Sequence, residues 1–223
     1  MAPAPATRTN MHFFEFCGVL GLFGCVASVA TDIAGVIVSP TKGFVHDTIS
    51  SLAAGPFDWI QDIGLSWLAL GMIAVGCALY RWHLGGWAWK LGSGLLTALA
   101  VTMLLITVRE KYAKLVPHGL VIHQSLVYTT GVVFAFISLL TAKGFNRVRP
   151  RWMYYGVTTA VLWILAAPIL YIIPDRWEGI YERFVALLMV IWLAVASYLL
   201  IRSAMRSPAA LASCRRPGRN PPQ

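Results

Sequence analysis

Six stretches of apolar residues, each about 20 residues or longer, dominate the chain, at 13–38, 58–80, 88–108, 119–141, 152–173 and 179–201. A hydrocarbon layer about 30 Å thick needs about 20 apolar helical residues to cross it. Inside such a layer every backbone N–H and C=O must be satisfied within the segment, so each stretch is expected to be a helix. The short connections leave no room for a soluble domain. The expected fold is therefore an all-α membrane protein, a bundle of six transmembrane helices arranged as three hairpins. With 12% charged residues and 58% apolar ones, the composition agrees, since soluble domains carry about 25% charge.

The net charge of +9 does not mark a nucleic-acid binder, because the basic residues are scattered and no recognition motif accompanies them. It reads instead as topology. With a cytoplasmic amino terminus, twelve Lys and Arg fall on the inner side and six on the outer side, and the segment 143–151 alone holds Lys143, Arg147, Arg149 and Arg151. Short basic loops stay cytoplasmic. Both termini are thus expected inside a prokaryotic plasma membrane, with a tail at 1–12, a membrane domain at 13–201 and a basic, disordered tail at 202–223.

The four cysteines, Cys17, Cys25, Cys77 and Cys214, are placed in inner halves of spans or in the tail, where they suggest small apolar residues rather than disulfides. Arg8, the following apolar run and Ser28-Val29-Ala30 resemble a signal peptide. The run continues to Val38, long enough to span, so it is read as the first helix.

On this topology eight of the nine carboxylates and three of the five histidines collect on the outer side. Ionisable groups in a membrane are costly and commonly mark function. Asp58 and Asp62 are four residues apart, as are Glu178 and Glu182, which puts each pair on one helix face. Asp32, Asp62, His123 and Glu182 are expected at a similar depth and are candidates for one pocket. In the first outer loop, residues 39–57, Phe44, Val45, Ile49 and Leu52 recur at helical spacing. A short interfacial helix is expected there, with His46, Asp47 and Ser50 on its polar face. The full candidate ligand-binding set is Asp32, His46, Asp47, Ser50, Asp58, Asp62, Arg109, Glu110, His118, His123, Glu182 and Arg183. The competing explanation for several members is structural: arginines neutralising acids, and Asp58 and Glu178 complementing helix dipoles.

His46, His118 and His123 could hold a divalent metal with nearby carboxylates, although no cofactor is specified by spacing alone. The segment His46-Asp47-x-Ile49-Ser50-x-Leu52-x-x-Gly55, His118 before the fourth span, and Gly179-x-x-Glu182-Arg183 opening the sixth resemble a six-span prokaryotic membrane family called domain of unknown function 998. The resemblance implies a multi-pass membrane protein with no settled activity. A looser likeness to hydrolases related to alkaline ceramidase stops at span number and at the missing His-x-x-x-His pair, so their activity is not carried over.

Three functions are weighed. The first is a binder of a lipid headgroup, ion or small polar ligand at the outer face. The second is a membrane-embedded hydrolase or transferase, in which His46 would activate Ser50 or a metal-bound water with Asp47, Asp58 or Asp62 as orienting acid. The third is a transporter or channel, which would normally carry polar residues through the midplane to both sides. The one-sided distribution orders them as binder, enzyme, transporter.

Overall fold

The computed structural model describes the backbone of residues 8–54, 56–112 and 119–214; side chains at 8–10, 106–112, 119–128, 171 and 206–214 fall outside the description. Among the described residues the chain is helical, with no strand. The elements are α1 (Arg8–Val38), α2 (Ile49–Ala53), α3 (Asp58–Trp82), α4 (Trp87–Tyr112), α5 (Gly119–Asn146), α6 (Pro150–Ala166) and α7 (Asp175–Cys214), with a 3-10 turn at Ala167–Tyr171 between the last two. Five segments are long and apolar enough to cross a membrane: Met11–Val38, Asp58–Trp82, Trp87–Leu105, Pro150–Leu170 and Asp175–Met205. The helix α5, 28 residues long, lies antiparallel between α4 and α6.

Several boundaries differ from the sequence expectation. The helix α7 begins at Asp175, four residues before the expected start of the last span at 179, and carries Asp175 and Glu178 in its first turn. Negative side chains there complement the partial positive charge of a helix start. At its other end α7 continues to Cys214, past the expected end of the span at Ile201. Pro168 does not sit within an α-helix: it occupies the first turn of the 3-10 segment, where its missing N–H breaks no ladder bond.

Small residues set the packing. Gly21 of α1 and Gly71 of α3 meet so closely that a Cβ on Gly71 would stand 3.1 Å from the Gly21 Cα. In lipid there is little hydrophobic drive between helices, so close backbone approach at small residues supplies van der Waals contact instead. The helix α1 packs on both α3 and α7, α4 joins α3 to α5, and α6 pairs with α5. Ser138 on α5 donates to the Gly156 carbonyl of α6 at 2.8 Å and ties that pair.

Aromatic rings join the helices in the bundle core. Trp89 lies 5.3 Å from Phe145, which lies 6.3 Å from Trp192; Phe134 lies 5.9 Å from Trp192 and 4.7 Å from Trp163. Tilted and edge-on contacts at these separations favour the ring quadrupoles. The ladder joins α4, α5, α6 and α7 below a space that remains open toward α2. Outward, the helices present Phe16, Phe23, Val26, Leu105 and Ile191, as lipid-facing surfaces require.

Candidate functional site

Arg183, two turns into α7, organises the α2 end. Its Nε donates to Asp32 Oδ2 at 2.8 Å and its Nη2 to Asp32 Oδ1 at 3.1 Å, a bidentate pair across α1 and α7. Its Nη1 lies 3.0, 2.8 and 3.0 Å from the carbonyl oxygens of Phe44, Asp47 and Gly179. The guanidinium also stands 4.5 Å from the centre of the Phe44 ring. Arginine suits this position because its planar fork matches a carboxylate while its remaining N–H groups satisfy carbonyls. The loop between α1 and α3 is thereby fastened onto the start of α7.

That fastening explains the local sequence. A Cβ on Gly179 would collide with the Asp47 carbonyl, so only glycine lets the loop lie on α7. Ile180 N–H donates to Val45 O at 3.1 Å, and Glu182 Oε2 accepts the Ile49 N–H at 2.6 Å. The start of α2 is capped by Thr48, whose hydroxyl accepts from Ser51 N–H at 3.1 Å. Leu52 and Ala53 of α2 are buried. Asp47 accepts from Gly43 N–H at 2.7 Å and from Lys42 Nζ at 3.0 Å. The Gly43 N–H bond, with Lys42 beside it, holds the Asp47 carboxyl below the usual range.

Beneath α2 lies a cavity of about 650 Å³, between α1, α3 and α7 on one side and α5 and α6 on the other. Its polar lining is Ser28, Asp32, Ser50, Gln61, Thr130 and Glu182; its apolar lining includes Leu65, Leu68, Phe136, Leu139, Trp163, Val185 and Met189. The charged side chains in the described lining are two carboxylates. Gln61, 2% exposed, donates to Asp32 Oδ1 at 3.1 Å. The volume falls within the about 300–1,000 Å³ of small-molecule sites. Phe136 and Ile164 in the α5–α6 wall are half exposed.

The candidate residues divide. Asp32 and Glu182 converge on the cavity, together with Ser50. Arg183 is 5% exposed and committed to Asp32 and three carbonyls, so it holds the site together rather than facing the cavity. Asp58 stands in the first turn of α3 and Asp62 is half buried; neither is in the cavity wall. The reason is angular. The face of α3 that reaches the cavity carries Gln61, Leu65 and Leu68, and adjacent residues on a helix are about 100° apart. Sequence reasoning passed over Gln61, although a lone amide in an apolar span was a usable sign. It also passed over Ser28 and Thr130, for which spacing offered none.

The expected helical pairing of His46 with Ser50 does not form, because α2 begins only at Ile49. His46 is exposed, with Nδ1 3.2 Å from the Arg176 carbonyl, while the Ser50 hydroxyl donates to Thr48 Oγ1 at 3.2 Å. Among the described residues no group of three or more His, Cys, Asp or Glu could hold a metal ion. The side chains of Arg109, Glu110 and His123, and all of His118, lie outside the described residues. The metal set of His46, His118 and His123 therefore has only its first member described.

Comparison with curated proteins and with solved structures finds no match. A family model described as a protein of unknown function, DUF998, matches residues 22–199, from within α1 to within α7 and including every described element of the cavity wall. The match takes in most of the chain and is to the family that the sequence resembles, and the chain belongs to the DUF998 family.

Proposed function

We propose that this is a six-span integral protein of a prokaryotic plasma membrane, with α5 as the sixth span and both termini cytoplasmic, that binds an amphiphile from the outer leaflet. The observation carrying this reading is the polarity of the cavity: apolar along most of its wall, with Asp32, Gln61, Ser50 and Glu182 gathered beneath α2. An apolar wall with a few convergent polar groups is the usual composition of a ligand site. Here the polar groups would take the headgroup and the wall its chain. The aromatic ladder of Trp89, Phe145, Trp192 and Phe134 below the cavity supports binding over a continuous transport route. Hydrolysis by His46 and Ser50 is not favoured, because each makes its hydrogen bond elsewhere.

The test is mass spectrometry of lipids retained by the purified full-length protein and by Ala186→Trp, which fills the cavity. A lipid retained by the wild type and lost from the folded variant is expected. Equal retention in both would refute the reading. For topology, a membrane-impermeant thiol reagent applied to intact cells is expected to leave Cys214 unlabelled, and labelling there would invert the orientation.

A further inference from the structure

The polar atoms of the cavity differ in whether the protein already satisfies them. Thr130 is only 8% exposed, lines the cavity, and its Oγ1 has no hydrogen-bond partner. Other hydroxyls on the spans return to their own helix: Ser93 donates to Trp89 O at 2.8 Å, Thr141 to Ile137 O at 2.7 Å and Ser197 to Leu193 O at 2.8 Å. A buried hydroxyl without a partner is costly, more so in a membrane, and its persistence points to a partner supplied from the cavity.

The depth of Thr130 follows from helix register. Phe134 of α5 and Trp192 of α7 are in contact, with centroids 5.9 Å apart. Both helices run away from α2, so counting back at 1.5 Å per residue puts Thr130 roughly 9 Å deeper than Glu182. Apart from Ser28, whose hydroxyl returns to the Cys25 carbonyl at 3.3 Å, the cavity thus carries two polar stations. At the mouth stand two carboxylates; ionised, they accept hydrogen bonds and donate none. Asp32 is neutralised by Arg183 and further bonded by Gln61, and no Lys, Arg or His lines the described wall, so Glu182 is the carboxylate left to take a cationic ligand, whose approach favours its ionised form. Below it, one hydroxyl faces apolar surroundings.

From these two stations, and resting on the amphiphile reading above, we propose that the ligand is a single-chain lipid with a protonated amine in its head and an ester or amide carbonyl at the head–chain junction. The amine donates to Glu182, the carbonyl accepts from Thr130, and the chain lies along Leu68, Leu139 and Met189. The described lining disfavours a phosphate in the head, which would meet two carboxylates and an arginine already engaged there. A polyol head would use the mouth but gain nothing from its negative charge.

The experiment is calorimetric titration of the full-length protein in nanodiscs with three probes: N-(2-aminoethyl)oleamide, its hydroxyl counterpart N-(2-hydroxyethyl)oleamide, and oleylamine, which has the amine but no carbonyl. The aminoethyl amide is expected to bind at least about tenfold tighter than the hydroxyethyl amide, the size of one charge-assisted hydrogen bond. Glu182→Gln keeps an acceptor for Ile49 N–H and is expected to abolish that preference. Thr130→Val is expected to weaken both amides several-fold and leave oleylamine unchanged. Equal wild-type affinity for the two amides would overturn the amine assignment while leaving the amphiphile reading intact. An unchanged amide affinity in Thr130→Val would overturn the carbonyl assignment. Binding of none of the three would overturn the proposal, and lipid retention by the wild type then decides separately on the broader reading. The wild-type comparison needs no variant to fold.

Discussion

Removing the guanidinium of Arg183 should unfasten the α2 end. In Arg183→Met the apolar stem is kept, but Asp32, whose side chain is 14% exposed, loses both hydrogen bonds at 2.8 and 3.1 Å. It is left with the Gln61 amide at 3.1 Å. The carbonyls of Phe44, Asp47 and Gly179 lose their shared donor as well. Breaking a buried pair by removing one partner typically costs about 3–5 kcal/mol, mostly the penalty of the stranded charge. Asp32→Leu strands the arginine instead and should cost a similar amount. In Arg183→Met/Asp32→Leu no charge is stranded, leaving mainly the carbonyls unsatisfied, at about 1–3 kcal/mol. The double variant should therefore be more stable than the sum of the single losses by about 3 kcal/mol or more. The assay is reversible unfolding in mixed micelles, followed by fluorescence of the nine tryptophans. Single losses that add, with a coupling below about 0.5 kcal/mol, would refute the account of Arg183 as the fastening residue.

Two further outcomes follow from the loop. Gly179→Ala should lift residues 39–48 from α7, since the new Cβ would stand 2.7 Å from the Asp47 carbonyl carbon and 2.9 Å from its nitrogen, backbone atoms that cannot rotate away. A loss of about 1–3 kcal/mol and faster proteolysis within that loop are expected, and unchanged proteolysis would count against the contact. Asp47 gives a pH dependence. Its folded pKa is depressed by the Gly43 N–H, so its contribution is present above the unfolded value of about 3.9 and is lost as pH falls through the folded value. Hydrogen exchange in the loop, corrected for intrinsic rates, should therefore rise in acid below about pH 4 in the wild type. Asp47→Asn should show a flatter profile; identical profiles would exclude Asp47 as the source.

How far the sequence could be read depends on what kind of pattern carried each feature. The turn of helix at Ile49–Ala53 followed from local spacing of Ile49 and Leu52, whereas its docking on Gly179 and Arg183 needed contacts more than 120 residues away. The pairs Asp58/Asp62 and Glu178/Glu182 share helix faces by arithmetic. Only Glu182 among the four reaches the cavity, because the azimuth of a helix is set by its neighbours and not by its own spacing. The explanation by arginine pairing, set against function at the outset, applies to Arg183, while Asp32 serves both roles at once.

By itself the sequence determined the long apolar helices and the side on which acids gather, because a bilayer forces each span to satisfy its own backbone and makes every charge conspicuous. It also carried the family, whose model matches residues 22–199. Tertiary structure alone decided that Asp32 meets Arg183 across 151 positions, that Gln61 replaces Asp62 at the cavity wall, and that Thr130 lines the cavity with its hydroxyl unpartnered. These are consequences of how helices rotate and approach where glycines allow it, and a cavity is the part of that packing which no residue fills.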